Sequence, residues 1–494
     1  MVIVVARRVA YALVWIALTA EMAGECFGGK WETPWTPVST FIFTPIPGLH
    51  FPPWYVAVIA TWLAALLQKG AKAGRTKPML TSIMVSLASI GAMAVWGVAR
   101  GGDPRQVLWQ LHGFLMGFVT GQMLVATCRT TAHFVTLGKV VVAACLYRAA
   151  ILLVFWFSVG KWLDPQLPTQ TTHADTTTFV TGILLMGIYA VERRTLKAVA
   201  FAAVASIPVM MSMKYNNRRL AWLSLLVGIA IVYLGLPKGK VRRRINMGLL
   251  AAAPILAAYI AIGWGRNEGV FKPVYAISTM FGQHEDTSSE TRNIENYNLV
   301  MTLRGNPLLG TGWGHEYDEV SVAYSVKEFF EQYRFIPHNS VLGLLAFTGL
   351  AGFTGIWQVF PIATYLLSQT HRSSTDPAVR MTTMGGVVML VVFVLQMWGD
   401  MGMGTIPSDV LFGASLALAV RLPMLSGVWA PKPKPTVTPA PAPSPDARVD
   451  HENGKDVQHH EHAEADGGAA KPTLGEPVAR EEERERERRD DDGE

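Results

Sequence analysis

Charged residues are scarce in this sequence. Only 16% of its 494 residues are charged, whereas 50% are hydrophobic, and the apolar residues form long blocks instead of alternating with polar ones. A soluble globular domain has a larger charged fraction and shorter apolar runs. The composition therefore indicates a membrane protein.

Cysteine is also scarce, with three residues, Cys26, Cys128 and Cys145. Three cysteines without a CxxC spacing do not make a disulfide framework or a zinc site. The acidic and histidine residues at 284–286 are adjacent on a polar stretch, and adjacent side chains rarely converge on one ion. We therefore expect neither cysteine chemistry nor a bound metal or cofactor.

The apolar blocks predict an all-α, polytopic fold. A helix of roughly 20 apolar residues crosses a bilayer, and about twelve blocks qualify, centred near residues 13, 60, 88, 117, 147, 184, 203, 228, 254, 353, 390 and 413. The first block follows Arg7 and Arg8, which is also the pattern of a signal peptide. No clean cleavage site follows it, so a retained helix is the favoured interpretation.

The distribution of lysine and arginine predicts the orientation of these spans. If the N-terminus is cytoplasmic, most basic residues fall on cytoplasmic turns, as the positive-inside rule requires. One outward group, Lys214, Arg218 and Arg219, breaks the rule. The same assignment makes 264–337 a large extracytoplasmic helical loop between the ninth and tenth spans.

The chain changes character after Arg421. Residues 422–494 begin with a proline-rich stretch and end in mixed charge, a composition that does not bury a core. We predict a transmembrane domain over 1–421 and a disordered cytoplasmic tail over 422–494, with a short helix near its end as an alternative. Both termini would then be cytoplasmic, in a bacterial inner membrane.

Three short motifs follow one another in the second half of the chain: an arginine, Arg292, that begins a helix, the turn NPLLGTGWG at 306–314, and His-Asn-Ser at 338–340 before an apolar run. The glycines are not spaced as GxGxxG and no strand precedes them, so they predict a tight turn and not a nucleotide loop. In order and position these motifs resemble the O-antigen ligase and polymerase family of membrane glycosyltransferases.

The resemblance implies transfer of a glycan from a polyprenyl-pyrophosphate donor to an acceptor, either lipid A-core or the next lipid-linked repeat unit, in surface polysaccharide synthesis. Such a site requires cations for pyrophosphate and a base for the acceptor hydroxyl. Arginine suits the first task because its fork binds phosphate oxygens in pairs. Histidine suits the second because its ordinary pKa is close to neutral.

The resemblance assigns His338 as the catalytic base. His338 precedes an apolar run, so it is also placed to begin a helix, and Asn339 is either a helix cap or a substrate ligand. Trp313 is either a platform for a sugar ring or an ordinary interfacial aromatic.

The candidate pyrophosphate ligands are four arginines. Arg218 and Arg219 stand where both the positive-inside rule and a helix dipole disfavour a cation; anchoring at the interface is the alternative explanation. Arg292 matches the family motif and could otherwise be a solvated loop charge. Arg304, beside the glycine turn, is the weakest candidate.

Two other classes of function fit the composition. A twelve-span secondary transporter would show two similar halves joined by a long cytoplasmic connection, and neither is visible in the sequence. A polysaccharide flippase would keep the lipid pathway without needing His338. The expected partners are the lipid-linked donor, the glycan acceptor and the bilayer, with other polysaccharide-assembly proteins as candidates and no nucleic acid.

Overall fold

The computed structural model describes residues 2–47, 51–67, 74–167, 169–266, 269–281, 287–322 and 333–429. Almost all of the predicted tail, from residue 430 onward, lies outside the described residues, as do parts of the predicted loop over 264–337.

Sixteen α-helices make up the described part of the chain. They are α1 (Val2–Thr19), α2 (Thr36–Phe43), α3 (Pro53–Leu66), α4 (Lys77–Ala99), α5 (Pro104–Thr127), α6 (Thr131–Ser158), α7 (Ala174–Arg193), α8 (Leu196–Asn216), α9 (Arg219–Gly235), α10 (Lys240–Gly263), α11 (Lys272–Phe281), α12 (Thr287–Gly305), α13 (Ser340–Trp357), α14 (Val359–Ser373), α15 (Pro377–Gly399) and α16 (Ile406–Leu425).

Among the residues that the structure describes, eight stretches of helix are long and apolar enough to cross a membrane: α4, α6, α7, α8, α10, the pair α13 and α14, α15, and α16. They confirm the all-α, polytopic fold. The other four predicted spans coincide with α1, α3, α5 and α9, of which α3 and α9 are shorter apolar helices. The total of twelve therefore stays a prediction.

The centre of the bundle is formed by α16 and the helices packed on it. In α16, 89% of the apolar window is buried, compared with 0% in α10, which lies at the periphery. Close packing of α16 against α5 depends on small residues: a Cβ added to Gly121 would lie 3.0 Å from the carbonyl oxygen of Gly413. Glycine at such crossings lets helix backbones approach, as is common between membrane helices.

The helix ends fall on two faces of the bundle. The face where α1 ends also holds the start of α7, the α8–α9 turn, the start of α13 and the α15–α16 turn; we call it the distal face. The opposite, proximal face holds the α7 end and the α14–α15 turn, where Arg380 pairs with Glu192 at 3.0 Å. Between α10 and α13, the segment predicted as a helical loop contains α11 and α12.

The glycine turn at 306–314 packs on a break in α13. At Gly349 the helix has φ 58° and ψ −173°, and the exposed backbone groups bond to the turn: Leu350 N–H donates to Pro307 O at 2.9 Å and Gly312 N–H to Phe347 O at 2.8 Å. A Cβ on Gly310, which has φ +65°, would lie 2.5 Å from the backbone of Phe347. The motif therefore joins α12 to α13 by backbone pairing.

Replacing Gly310 by alanine is expected to destabilise the protein by about 2 kcal/mol or more, because the new residue would be held in the left-handed region and against Phe347. Thermal unfolding of the purified protein measures this. Gly91→Ala is the matched control: Gly91 lies in α4 and a Cβ there meets nothing within 4 Å. Equal unfolding temperatures for the two variants would contradict this account of the turn.

Candidate functional site

Four ionisable side chains meet on the distal face around Asp400. Asp400 ends α15 and is only 4% exposed. His173 Nδ1 makes a short contact to its Oδ2, and Arg292 Nη2 lies 3.6 Å from its Oδ1. Arg218 lies near enough to act on Asp400 electrostatically. The carboxylate thus links three positively charged or protonatable groups from the start of α7, the start of α9 and α12.

The charges around Asp400 keep it ionised. Burial alone would raise its pKa, but the hydrogen bond and charge of His173, together with Arg292 and Arg218, outweigh burial and lower the pKa below its ordinary value. A carboxyl whose pKa falls on folding contributes stability above its unfolded pKa of about 3.9 and loses that contribution as the pH drops further. At neutral pH the cluster therefore holds a fixed negative charge between arginines.

Arg218 is held at the N-terminus of α9, half-buried, with an incomplete set of partners. Its Nη2 donates to Thr169 Oγ1 at 3.3 Å and to the Thr171 carbonyl at 3.5 Å, while its buried Nε has no hydrogen-bond partner among the described residues. Burial lowers its pKa from the ordinary value, yet an arginine stays charged in proteins. A buried donor without a partner is rare and is expected to bind a ligand or water.

His338 is oriented by a carboxylate. Its backbone N–H donates to both oxygens of Glu295, at 3.2 and 3.1 Å, and its Nδ1 lies 3.3 Å from Glu295 Oε2. Glu295 is 7% exposed and His338 is about one-third exposed. With the Nδ1 proton donated to Glu295, the Nε2 lone pair is the one that can accept a proton.

The two groups of side chains are connected into one site. Arg292 and Glu295 are three residues apart on α12 and so lie on one face of the helix. Met401, next to Asp400, donates its backbone N–H to the His338 carbonyl at 2.7 Å. Helix α12 and the α15–α16 turn therefore fix the positions of Arg292 and His338 relative to each other.

A cavity of about 1120 Å³ opens beside this site. Arg218, His173 and Met401 line it, along with Thr171 and Thr172. Arg292 and His338 do not line the cavity; Arg292 is joined to its wall through Asp400 and His173, and His338 through the backbone bond to Met401. The cavity thus gives a substrate a route to the charged cluster.

The structure brings together three of the predicted residues and separates others. Arg218 and Arg292 both act on Asp400, and the backbone of His338 bonds to the neighbouring Met401. Arg219 is half-buried in the first turn of α9. Arg304 is exposed at the end of α12, twelve residues past Arg292 and hence about 18 Å along the helix axis.

Asn339 and Trp313 take part in packing. Asn339 is 4% exposed and caps α13, with its Oδ1 accepting from Leu342 N–H at 3.1 Å. Trp313 is 2% exposed and packs on Phe347. Asn339 is therefore a helix cap, the alternative that the sequence offered. The buried Trp313 has no exposed ring face on which a sugar could stack. Neither residue belongs to the site that we propose below.

Sequence reasoning missed Glu295 and Asp400. Glu295 could have been found, because it follows Arg292 by three residues on a predicted helix. Asp400 carries no local signal: its partners lie more than 100 residues away in the sequence.

The buried Arg148 is part of a separate polar network. Its guanidinium bonds to Asp175 at 2.9 and 2.5 Å and pairs with Glu21 at 3.2 Å. Glu21 in turn accepts from Thr33 Oγ1 at 2.5 Å. An arginine inside a bundle is costly unless it is paired, and here pairing joins α6 to α7 and to the segment after α1. These contacts give Arg148 a structural role.

If the site transfers a glycan, as proposed below, replacing Glu295 by glutamine is expected to lower kcat about ten- to hundredfold with little change in KM. The amide keeps the shape but stabilises a protonated His338 less and does not fix the same ring tautomer. Transfer kinetics of the purified protein measure the effect. Glu290→Gln, an exposed change in the first turn of α12, should keep the wild-type rate. A Glu295→Gln enzyme with unchanged kcat would remove the carboxylate from the mechanism.

A comparison with known proteins covers the part of the chain that contains most of these residues. Residues 202–357 match the family model described as O-antigen ligase, and this region contains Arg218, Arg292, Glu295 and His338. A search of the curated proteins gave no match. The match confirms the resemblance carried by the short motifs. Residues 202–357 are therefore similar to the domain of the O-antigen ligase family, in agreement with the resemblance that the motifs indicated.

Proposed function

We propose that this protein transfers a glycan from a polyprenyl-pyrophosphate carrier to an acceptor hydroxyl at the distal face, which lies outside the cytoplasm of a bacterial inner membrane. The observation that carries the proposal is the carboxylate-held His338 in register with two arginines beside a large cavity. A glycosyl donor outside the cytoplasm has to bring its own leaving group, and pyrophosphate on a lipid is such a group.

The arginines would bind the pyrophosphate. Arg218 has a buried donor without a partner, and Arg292 holds Asp400 only at 3.6 Å, so both have capacity for further oxygens. Two guanidinium groups supply positive charge, which stabilises the negative charge that develops on the leaving pyrophosphate. Asp400 would keep the two cations close together in the absence of donor.

The chemical step needs one base. Nε2 of His338 takes the proton of the acceptor hydroxyl as its oxygen attacks the anomeric carbon of the donor sugar. The bond from that carbon to the pyrophosphate oxygen breaks, and polyprenyl pyrophosphate leaves with its negative charge stabilised by Arg218 and Arg292. Glu295 stabilises the imidazolium that forms.

The orientation is supported by charge. Basic residues cluster on the proximal face, at the start of α1, the α7–α8 turn, the α9–α10 turn and the α14–α15 turn. The positive-inside rule makes that face cytoplasmic. The site then faces the compartment where lipid-linked glycans are assembled into surface polysaccharide, with other assembly proteins as candidate partners.

The acceptor defines two versions of the activity. A ligase moves a finished chain onto lipid A-core, and the description of the matched family names a ligase. A polymerase moves the growing chain onto the next lipid-linked repeat unit. Both need the same base and arginines, so the acceptor has to be identified by experiment.

The test is the surface-glycan profile, on gels, of a deletion strain carrying the wild-type gene or His338→Ala at matched membrane levels. Wild type should restore long chains, and the variant should leave lipid-linked precursor unprocessed. Long chains on the carrier identify a ligase and single units a polymerase. An unchanged profile in the deletion strain would reject the transferase and favour a transporter of another substrate.

A further inference from the structure

A second cavity, of about 460 Å³, opens between α6, α7 and α15. Phe201 of α8 stands at its rim and Leu418 of α16 lies in its wall. Its lining residues are different from those of the cavity beside Arg218. The volume falls within the roughly 300–1,000 Å³ of common ligand pockets. We call this second cavity the lateral groove.

The end of the lateral groove nearest the proximal face carries two cations. Lys139 lies about two turns into α6, Arg193 is the last residue of α7, and both side chains are exposed. Among the residues that the structure describes, neither cation has an ion-pair partner, and the carboxylate of Glu192 is bound to Arg380 at 3.0 Å. Basic pockets between helices on one side of a membrane bind anionic lipid headgroups.

Beyond the cations, the lateral groove is apolar. Leu146 of α6 lies about 10 Å further along the helix axis than Lys139, and Met389 of α15 lines the same cavity. At Gly138, a Cβ would meet nothing within 4 Å, so the wall is open there. The groove therefore leads from a charged end to an apolar end inside the span.

An aromatic pair lies between these two ends. Tyr189 is one turn before Arg193 on α7 and packs edge to face on Phe201, with ring centroids 6.2 Å apart. Phe201 is 47% exposed. Tyrosine is enriched where the hydrocarbon of a bilayer meets its headgroups, so this pair indicates that Arg193 lies at headgroup level.

We propose that the lateral groove binds a phospholipid with an anionic headgroup from the leaflet at the proximal face. The phosphate would lie between Lys139 and Arg193, with one acyl chain against Leu146 and Met389. This inference does not depend on the proposed transfer. It adds a lipid that would join α6 to α7 and α15, and the far ends of α7 and α15 lie beside His173 and Asp400.

Charge complementarity decides between the possible occupants. A second copy of this chain would bring the same two cations to the contact, which would repel each other. An uncharged apolar helix would leave Lys139 and Arg193 unpaired in the membrane, at a cost. A zwitterionic lipid carries its own ammonium group beside the phosphate, whereas an anionic phospholipid neutralises the cations and fills the apolar end with its chain.

The experiment measures binding of phosphatidylglycerol and phosphatidylcholine to the delipidated full-length protein by native mass spectrometry. The first phosphatidylglycerol should bind wild type about tenfold more tightly than phosphatidylcholine. Lys139→Gln should lower the affinity for phosphatidylglycerol about fivefold and change that for phosphatidylcholine little. The control Lys197→Gln, at the start of α8 and outside the groove, should match wild type. Equal affinity of wild type for both lipids, or equal losses in both lysine variants, would overturn the proposal.

A second measurement locates the acyl chain. Phosphatidylglycerol with a diazirine near the end of one chain should label α6 or α15 around Leu146 and Met389. Gly138→Leu places a side chain in the open part of the groove and should lower this labelling severalfold. The control Gly187→Leu, at another open glycine outside the groove, should keep it. Labelling spread over peripheral helices such as α10, and unchanged in Gly138→Leu, would show general contact with the bilayer and reject the site.

Discussion

Replacing His338 by alanine is expected to lower the rate of glycan transfer by about two to four orders of magnitude, the range that general base catalysis contributes. The loss should appear in kcat, because in the proposed mechanism the arginines bind the donor and His338 acts when the acceptor hydroxyl is deprotonated. Single-turnover transfer by purified protein measures it. The variant should fold normally, since helix α13 keeps its cap at Asn339.

His133→Ala is a control for this change. His133 lies in the first turn of α6 on the proximal face, away from the cluster, and its loss should leave transfer at the wild-type rate. Wild-type kcat in His338→Ala would remove the base from the mechanism and would favour a flippase or scaffold, for which the histidine is not needed.

Replacing Arg218 or Arg292 by alanine is expected to lower transfer about a hundred- to a thousandfold, as the removal of one preorganised donor to a developing charge does. Lysine should restore only part of the rate, because a point charge does not bind two phosphate oxygens as the guanidinium fork does. Transfer rates and donor affinity of the alanine and lysine variants measure both effects.

Arg304→Ala tests whether any arginine near the motifs supports transfer, or only Arg218 and Arg292. Arg304 is exposed about 18 Å along α12 from Arg292, so its loss should change transfer less than twofold. Loss of transfer in Arg304→Ala with normal rates in Arg218→Ala would place the pyrophosphate elsewhere.

The helices could be predicted from the sequence because the thickness of the bilayer sets the length of a membrane-spanning helix. Each such helix then appears in the sequence as an apolar block of about that length. Each of the twelve predicted centres falls in a helix. The order of residues along the chain also predicted that a helix starts after His338 and that Arg218 precedes another. The blocks did not show helix length: α13 and α14 form one 34-residue helical stretch, which apolarity alone does not divide.

The site was only half predictable, since its two carboxylates act over long separations. Asp400 reaches back to His173 and Arg292, and Glu295 reaches forward to His338. Helical spacing could have indicated Glu295, which lies three residues after Arg292. Nothing in the sequence near Asp400 indicated its partners. Trp313 shows the opposite case: its motif suggested a ligand, but tertiary packing buries it against Phe347.

The most direct test is transfer by the purified full-length protein in vesicles, supplied with a labelled polyprenyl-pyrophosphate-linked glycan and a lipid A-core acceptor. The account predicts labelled acceptor and free polyprenyl pyrophosphate in equal amounts, with both lost in His338→Ala. Movement of the intact lipid-linked glycan between leaflets, without cleavage of its bond to pyrophosphate, would contradict it.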